Sequence, residues 1–248
     1  MNKILPNKKT GIQKKPSVPA AKRAAEPKPA RAAAATDVED IRDAVSKLKR
    51  ERIIAVAVDL FYNQGFNNTT LEAVAEKINV TKPFIYSHFN SKNDLLAEIC
   101  ARGIRASLEV LNQVVALESS PTDKVRALIC DFTMAVLENQ EAIAIYTREQ
   151  KHLSKTDSDA IEAMRREFDR KLCALLAEGV ATGEFTVNDV RIASLAVGGI
   201  VSWSCVWYRP HGRLKLDETA EHVADLVLAM IQAKPVRKKR VRSAPATS

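Results

Sequence analysis

Residues 69–92, TTLEAVAEKINVTKPFIYSHFNSK, predict two short helices joined by a tight turn. Thr70 is a good N-cap for the first helix, because its hydroxyl can accept a hydrogen bond from a first-turn amide. Apolar residues recur on one face of this helix, at Leu71, Val74, Ala75 and Ile78. Their spacing is that of an amphipathic helix, and the small side chain of Ala75 lets a second helix cross close by.

The turn between the two helices is Asn79-Val80-Thr81. Asn tolerates a positive φ better than most residues, so it suits a sharp change of chain direction. We expect the aliphatic side chain of Val80 to be buried beneath the turn and Thr81 to cap the second helix. The sequence therefore predicts a helix-turn-helix over residues 71–90.

The second helix is predicted over residues 82–89, with Ile85 and Phe89 facing inward. Its outward residues are Lys82, Pro83, Tyr86, Ser87 and His88. Lys, Tyr, Ser and His donate to phosphate oxygens and base edges, and the N-terminal end of a recognition helix enters the major groove of DNA. These residues suit DNA binding, although a helical hairpin with a polar solvent face has the same pattern.

The flanking sequence favours DNA binding, because it resembles the DNA-binding domain of TetR-family transcriptional regulators. The resemblance is carried by RERII at residues 50–54, LFYNQGF at 60–66 and YSHFNSK at 86–92, with Leu95 and Leu96 beyond them. It implies that the operator is contacted by Thr70, Lys82, Pro83, Tyr86, His88 and Lys92. Thr81, Phe84 and Ser87 lie on the same predicted surface and complete the candidate DNA-binding set.

The chain departs from the family pattern at Asn79, where Gly is common, and at Pro83-Phe84, where small residues are commoner. Asn can hold the same backbone shape as Gly at this position. Pro83 and Phe84 make the recognition surface bulkier, so the operator of a relative cannot be transferred to this chain.

Positive charge is concentrated in the predicted DNA-binding region and in both ends of the chain. The net charge is +8, yet residues 1–36 hold nine Lys and Arg against one Glu, and residues 234–248 hold six against none. Residues 37–233 therefore carry 23 basic and 29 acidic side chains. Flexible basic tails attract phosphates without reading sequence, and they equally serve as solvated termini that keep a protein soluble.

Residues 1–35 are predicted to be a disordered basic arm, and residues 234–248 a disordered basic tail, because neither can bury enough apolar surface to offset the entropy of ordering. The residues Thr36-Asp37-Val38-Glu39 fit a capping box and predict the start of a long first helix. Gly65 is a good C-cap for that helix.

The remaining pattern predicts an all-α chain of two domains. Residues 48–108 are assigned to DNA binding and residues 109–233 to a helical regulatory and dimerisation domain. Helices are expected at about 92–117, 125–137, 143–150, 159–182, 187–208 and 218–231, and the polar segment Leu153–Ser158 is expected to be a mobile lid. The helix over 187–208 is apolar on every side, which predicts that a second subunit covers it in a homodimer, with burial inside a single subunit as the alternative.

Several function classes find no support in the sequence. It has no apolar run of eighteen residues and no apolar segment after Met1, so we expect a cytoplasmic protein without a membrane span. Four cysteines without ligand spacing predict reduced core thiols rather than a metal site, and no cofactor is expected. No nucleophile motif or phosphate-binding glycine loop is present, so we do not expect an enzyme.

The segment WYRPHGRL at residues 207–214 is similar to an element of TetR-family regulators that respond to lipids or acyl-CoA. It implies an apolar inducer with an anionic head, for which the candidate residues are Arg148, Lys151, Trp203, Trp207 and Arg209. The alternative is that Trp207 packs at the dimer seam and the Pro-Gly segment makes a turn.

We therefore expect a ligand-responsive regulator, released from a palindromic operator when an apolar or acyl-CoA-type inducer binds. Two other functions remain open. One is a sequence-tolerant architectural DNA-binding protein, and the other is a drug-sensing regulator of an efflux pump, which would need carboxylates facing a cation.

Overall fold

The computed structural model describes the backbone of residues 29–231 and the side chains of residues 41–231. Within this range the chain forms nine α-helices and a short 3₁₀ turn at Gln150–His152, without a β-strand, which confirms the all-α prediction. The helices are α1 Pro29–Gln64, α2 Leu71–Lys77, α3 Lys82–Tyr86, α4 Lys92–Val115, α5 Pro121–Glu138, α6 Gln140–Glu149, α7 Lys155–Ala181, α8 Val190–Trp207 and α9 Leu216–Met230. The chain divides into two compact units between Ser46 and Lys47, and both apolar cores belong to the second unit.

Helix α1 begins at Pro29, so two predictions about the N-terminal region were wrong. Residues 29–35 are helical rather than part of a disordered arm, and Thr36 lies inside the helix rather than at its start. The run PARAAAA explains both differences, because Pro is tolerated in a first turn and Ala has the highest helix propensity. The rest of the predicted arm, residues 1–28, and the predicted tail lie outside the described residues.

The predicted DNA-binding domain, residues 48–108, which we call the DNA-binding half, is built around one apolar core, which we call the N-terminal core. Its largest fully buried side chains come from α1, α3 and α4 and from the segment before α4, and include Phe61, Ile53, Ile85, Leu95, Leu96 and Phe89. Gly65 ends α1 with a φ of 85°, a conformation that favours glycine. Ala142 and Ile145 of α6 belong to the same core, so this core continues into the regulatory half.

The turn between α2 and α3 has the predicted backbone shape. Asn79 adopts a φ of 57°, and Val80 donates its amide to the carbonyl of Ala75 at 3.0 Å. Val80 is only partly buried, however, although it does pack against the N-terminal core. Thr81 occupies the N-cap position of α3, as predicted, although its side chain makes no hydrogen bond to the helix.

The predicted regulatory and dimerisation domain, residues 109–233, which we call the regulatory half, is a bundle in which α5 packs against α4, α7, α8 and α9. Its buried side chains, the C-terminal core, include Leu111, Phe132, Phe168, Leu172, Val201 and Val227. Ser154 caps α7 by accepting the amide of Asp157 at 3.1 Å, so residues 155–158 are the first turn of a helix rather than part of a mobile lid. Ser and Asp form this arrangement readily at helix starts, which is why the segment looked like a loop in the sequence.

Candidate DNA-binding interface and effector cavities

Three of the predicted DNA-binding residues meet at a notch of about 290 Å³. Thr70, Tyr86 and Lys92 line it, together with Asn90 and Ser91, which were not among the predicted DNA-binding residues. The first turn of α4 opens onto the notch, and the free amides and dipole of a helix start attract anions such as a DNA phosphate. Ser91 is the N-cap of α4, and its hydroxyl accepts the amide of Asp94 at 3.0 Å.

The exposed face of α3 carries the other candidates. Thr81, Lys82, Pro83, Tyr86 and Ser87 are exposed, whereas Phe84 and His88 are partly buried and pack edge to face with ring centroids 5.2 Å apart. The helix ends at Tyr86, earlier than predicted, and Ser87 turns back to donate its hydroxyl to the carbonyl of Phe84 at 2.7 Å. This leaves a short recognition helix with Tyr86 at its end.

His88 lies in an environment that favours the neutral imidazole. Partial burial, followed by the charges of Lys49 and Arg50, lowers the pKa of His88. Arg50 also donates to the carbonyl of His88 at 2.9 Å and to Glu98 at 3.2 Å, so it fixes this end of the recognition segment against α4. Burial acts to raise the pKa of Glu98, but its bonds to Arg105 and Arg50 outweigh that effect and lower it.

Two of the predicted cations are already engaged within the protein. Lys82 forms an ion pair with Glu72, and this contact raises the pKa of Lys82. Lys92 donates to the carbonyls of Phe66 at 2.8 Å and Thr69 at 3.0 Å, and its ammonium lies 4.2 Å from the centre of the Phe66 ring. Lys92 therefore holds the turn before α2 in place, and an ammonium with three donors retains one for a phosphate.

We predict that Glu72→Gln raises DNA affinity several-fold, for operator and scrambled duplexes alike. The substitution removes a carboxylate from the DNA-facing surface and frees Lys82 to pair with a phosphate, an effect that carries no sequence information. Fluorescence anisotropy at several salt concentrations measures it. Glu76→Gln is the matched control, because Glu76 is exposed on the same helix and forms no ion pair within the described residues. A fall in affinity would instead show that Glu72 orients Lys82 for base contact.

A cavity of about 350 Å³ lies among α4, α5, α7 and α8, and we call it the effector cavity. Its apolar walls come mainly from Ile104, Phe132, Val136, Phe168 and Leu195, and its polar lining includes Ser107, Ser202, Glu162, Arg165 and Asp169. Gly198 and Gly199 complete the lining, and a Cβ built at either glycine would meet no atom within 4 Å. The two glycines of α8 therefore border open space.

A second opening of about 460 Å³, which we call the arginine cleft, lies between α7 and α8. It is lined by Arg166, Asp169, Arg170, Cys173, Arg191, Ser194 and Leu195. Asp169 and Leu195 line both the cleft and the effector cavity, so the two openings are neighbours. In the sequence, Arg166, Asp169 and Arg170 lie within one turn of each other on a charged face of α7.

The five residues predicted to bind the ligand are not brought together. Arg148 stacks on Tyr62 and donates to its carbonyl at 3.2 Å, and Lys151 is exposed on the 3₁₀ turn. Arg209 folds back onto the carbonyls of Val206 and Tyr208, at 2.9 Å each. Trp203 and Trp207 line a separate groove of about 560 Å³ between α8 and α9. None of the five lines the effector cavity or the arginine cleft.

Helix α8 is buried on one face only, through Ser194, Val197, Val201 and Ser204. Its other faces and the neighbouring α9 expose large apolar side chains, namely Ile192, Leu195, Trp203, Val206, Trp207, Leu226 and Met230. By length and composition alone α8 is apolar enough to cross a membrane, and 22% of it is buried within the chain. This exposed set, which we call the α8–α9 surface, agrees with the prediction that the helix is not covered by its own subunit alone.

The cysteines are all free thiols. Burial raises the pKa of Cys100 to about 12 and that of Cys130 to about 11, so both stay protonated and unreactive near neutral pH. Among the described residues, no group of His, Cys, Asp and Glu side chains is arranged to hold a metal ion.

The regulatory half touches the DNA-binding half at the start of α4. Asn93 donates to the carbonyl of His152 at 2.9 Å, and the rings of Phe66 and His152 have centroids 5.1 Å apart. Helix α4 itself runs from the notch at Lys92 to the effector cavity at Ile104 and Ser107. A helix-turn-helix joined by one helix to a bundle with a cavity defines the class of effector-responsive, DNA-binding regulators.

Comparisons with known proteins agree with this class. The family of bacterial regulatory proteins named after TetR matches residues 53–99, and the tetracyclin repressor-like C-terminal domain matches residues 118–231. The chain belongs to the TetR family. It is a DNA-binding transcriptional regulator and not an enzyme, as the sequence predicted.

Three relatives illustrate the range of similarity. A TetR/AcrR-family regulator from Thermobifida fusca of known structure is 35% identical, with a TM-score of 0.60, covering 72% of this chain and 96% of that one. The transcriptional repressor KstR2 of Mycolicibacterium smegmatis is 25% identical, covering 74% of this chain and 90% of its own length. AibR, solved in complex with isovaleryl coenzyme A and operator DNA, is 23% identical, with a TM-score of 0.62, covering 75% of this chain and 100% of AibR.

Proposed function

We propose that this protein is a cytoplasmic, homodimeric repressor that leaves a palindromic operator when an apolar small molecule, an acyl-CoA thioester in our assignment, enters the effector cavity. The observation that carries the proposal is the course of α4. Its first turn borders the notch at Tyr86, and its middle supplies Ile104 and Ser107 to the cavity wall. A ligand that changes the packing of α4 in the cavity therefore acts on the helix that supports the recognition segment.

The mechanism follows from population shift. A ligand moves an equilibrium only as far as its affinity differs between the two states. The two states here differ in the tilt of α4 and therefore in the distance between the two recognition helices. If the cavity is wider in the state with the larger distance, ligand binding favours that state. Two recognition helices must lie about 34 to 36 Å apart to reach successive major grooves, so a small change in tilt reduces operator affinity.

The α8–α9 surface supports the homodimer. Exposed apolar side chains in a continuous patch mark an interaction surface, and covering them releases water from apolar area. A two-fold arrangement of α8 and α9 would bury Trp203, Trp207 and Leu226 against the same residues of a second subunit. A symmetric dimer also explains why we assign a palindromic operator, because each subunit reads one half-site.

The lining of the effector cavity bears on the class of inducer. Ile104, Phe132, Val136 and Phe168 suit an aliphatic group, and the similar fold of AibR accommodates isovaleryl coenzyme A. Glu162 and Asp169 also reach the lining, and carboxylates there keep a cationic drug as the second candidate. The architectural alternative predicts no preference for an operator at all.

One experiment separates these functions. Duplexes selected from a random pool by the full-length protein give the operator, and anisotropy titrations then compare operator with scrambled DNA in the presence of isovaleryl-CoA, octanoyl-CoA or a cationic dye. Release of operator by a thioester supports the proposal. Release by the dye alone assigns a drug sensor, and equal affinity for both duplexes assigns an architectural protein.

We predict that Gly198→Leu abolishes ligand-driven release while operator affinity stays unchanged. The new side chain extends into open space in the cavity, since a Cβ at Gly198 meets no atom within 4 Å, so it fills the volume without displacing the backbone. Replacing a helical Gly also stabilises the fold by about 0.5 to 1 kcal/mol. Gly198→Ala is the matched control, because it stabilises the helix in the same way but fills less of the cavity volume. Normal release from the leucine variant would place the ligand elsewhere.

A further inference from the structure

The arginine cleft carries more positive charge than the notch, the effector cavity or the groove between α8 and α9. Arg166, Arg170 and Arg191 face a single carboxylate in its lining, that of Asp169. Within the described residues, Arg166 has a weak exposed pair with Glu162 at 3.5 Å, and no carboxylate lies within ion-pair distance of Arg170 or Arg191. The guanidinium groups of Arg170 and Arg191 are therefore available to an anion.

Ser194 gives an independent sign that the cleft receives a ligand. Ser194 is only 2% exposed and lines the cleft, yet its hydroxyl has no hydrogen-bond partner among the described residues. A buried hydroxyl without a partner is costly, and such groups are rare in folded proteins. A polar ligand in the cleft would supply the missing partner.

The effector cavity has the opposite balance of charge. Glu162 and Asp169 outnumber Arg165, whose guanidinium already stacks on Tyr146 at 4.9 Å from the ring centre. A free carboxylate would be repelled there, whereas a neutral acyl group would not. The two neighbouring openings therefore match a ligand with two unlike ends, one neutral and apolar and the other strongly anionic.

We infer that the arginine cleft binds the phosphate-bearing end of an acyl-CoA effector whose acyl group occupies the effector cavity, an inference that rests on the proposed function. The forked guanidinium of arginine matches the oxygens of a phosphate with two parallel hydrogen bonds. Asp169 and Leu195 lie where the two openings adjoin, so the linker of the thioester crosses them, and the carboxylate of Asp169 can accept its amide hydrogens. The hydroxyl of Ser194 donates to a phosphate oxygen.

The test is a calorimetric titration of the full-length protein with octanoyl-CoA, free CoA and octanoate. The double variant Arg170→Gln/Arg191→Gln should weaken octanoyl-CoA binding by about tenfold or more per arginine, because each loses a hydrogen bond to a charged group. The matched control is Arg148→Gln/Arg209→Gln, which removes the same charge from positions outside the cleft and should bind normally. Arg170→Lys/Arg191→Lys should retain part of the affinity, since lysine keeps the positive charge but lacks the two parallel donors of a guanidinium group.

One more variant distinguishes binding of the acyl group from binding of the phosphate-bearing end. Gly198→Leu should lose the advantage of octanoyl-CoA over free CoA and keep its affinity for free CoA. The inference is overturned if the cleft variant binds octanoyl-CoA like the wild type, if octanoate binds as tightly as the thioester, or if the wild type binds neither thioester nor CoA. Operator binding is measured on the same proteins, so a regulator that recognises its operator and fails these titrations retains the proposed function without this headgroup site.

Discussion

Tyr86→Ala is expected to lower operator affinity by roughly 30-fold to 10⁴-fold while dimerisation and thermal stability stay nearly unchanged. A good side-chain contact to DNA is worth about 1 to 3 kcal/mol, and a symmetric dimer loses it twice. Tyr86 is 43% exposed and lies outside the N-terminal core, so its truncation leaves no cavity. It also borders the notch that opens onto the first turn of α4, where a phosphate would sit.

Two further variants show how Tyr86 acts. Tyr86→Phe keeps the ring but removes the hydroxyl, so it loses most of the affinity only if the hydroxyl donates to DNA. Lys82→Ala should cost less than Tyr86→Ala, because Lys82 must first leave its ion pair with Glu72. Anisotropy titrations on operator and scrambled duplexes, with melting curves alongside, provide the measurements. If both Tyr86→Ala and Lys82→Ala bind the operator with wild-type affinity, α3 does not contact DNA.

The local features of the DNA-binding half could be predicted from the sequence, because neighbouring residues determine them. Thr70 caps α2 through its hydroxyl, Asn79 takes a positive φ, and Gly65 ends α1. Each of these depends on a preference of a single residue type within one turn. The early start of α1 was missed because the prediction relied on apolar residues, while the alanine-rich segment becomes helical through its propensity.

Features that depend on tertiary packing could not be predicted. Lys92 looked like a free cation, but its ammonium is held by carbonyls 23 and 26 residues away, at Thr69 and Phe66. Arg166 and Arg170 looked like one charged helix face, and only the packing of α7 beside α8 brings them to Arg191. The ligand residues chosen from the sequence fell at separate places for the same reason, since spacing along a chain does not show which helices adjoin.

The double substitution Trp203→Glu/Leu226→Glu is expected to produce a folded monomer that no longer binds the operator specifically. Both side chains are 64% exposed in the single chain, so the monomer loses little packing, whereas two charges in each subunit would be buried without partners in the dimer. Light scattering should give the subunit mass of 27.4 kDa in place of twice that value.

The double variant should lose operator affinity because it loses dimerisation. A monomer reads one half-site and lacks the contribution of the second. Affinity is expected to drop from the specific range of about 10⁻⁸ to 10⁻¹¹ M towards the non-specific range of about 10⁻⁴ to 10⁻⁶ M. Leu117→Glu is the matched control, since Leu117 is 49% exposed beyond the end of α4 and lies outside the α8–α9 surface. A double variant that remains dimeric would show that α8 and α9 do not form the dimer interface. The exposed apolar face of α8 would then have to bind a different partner.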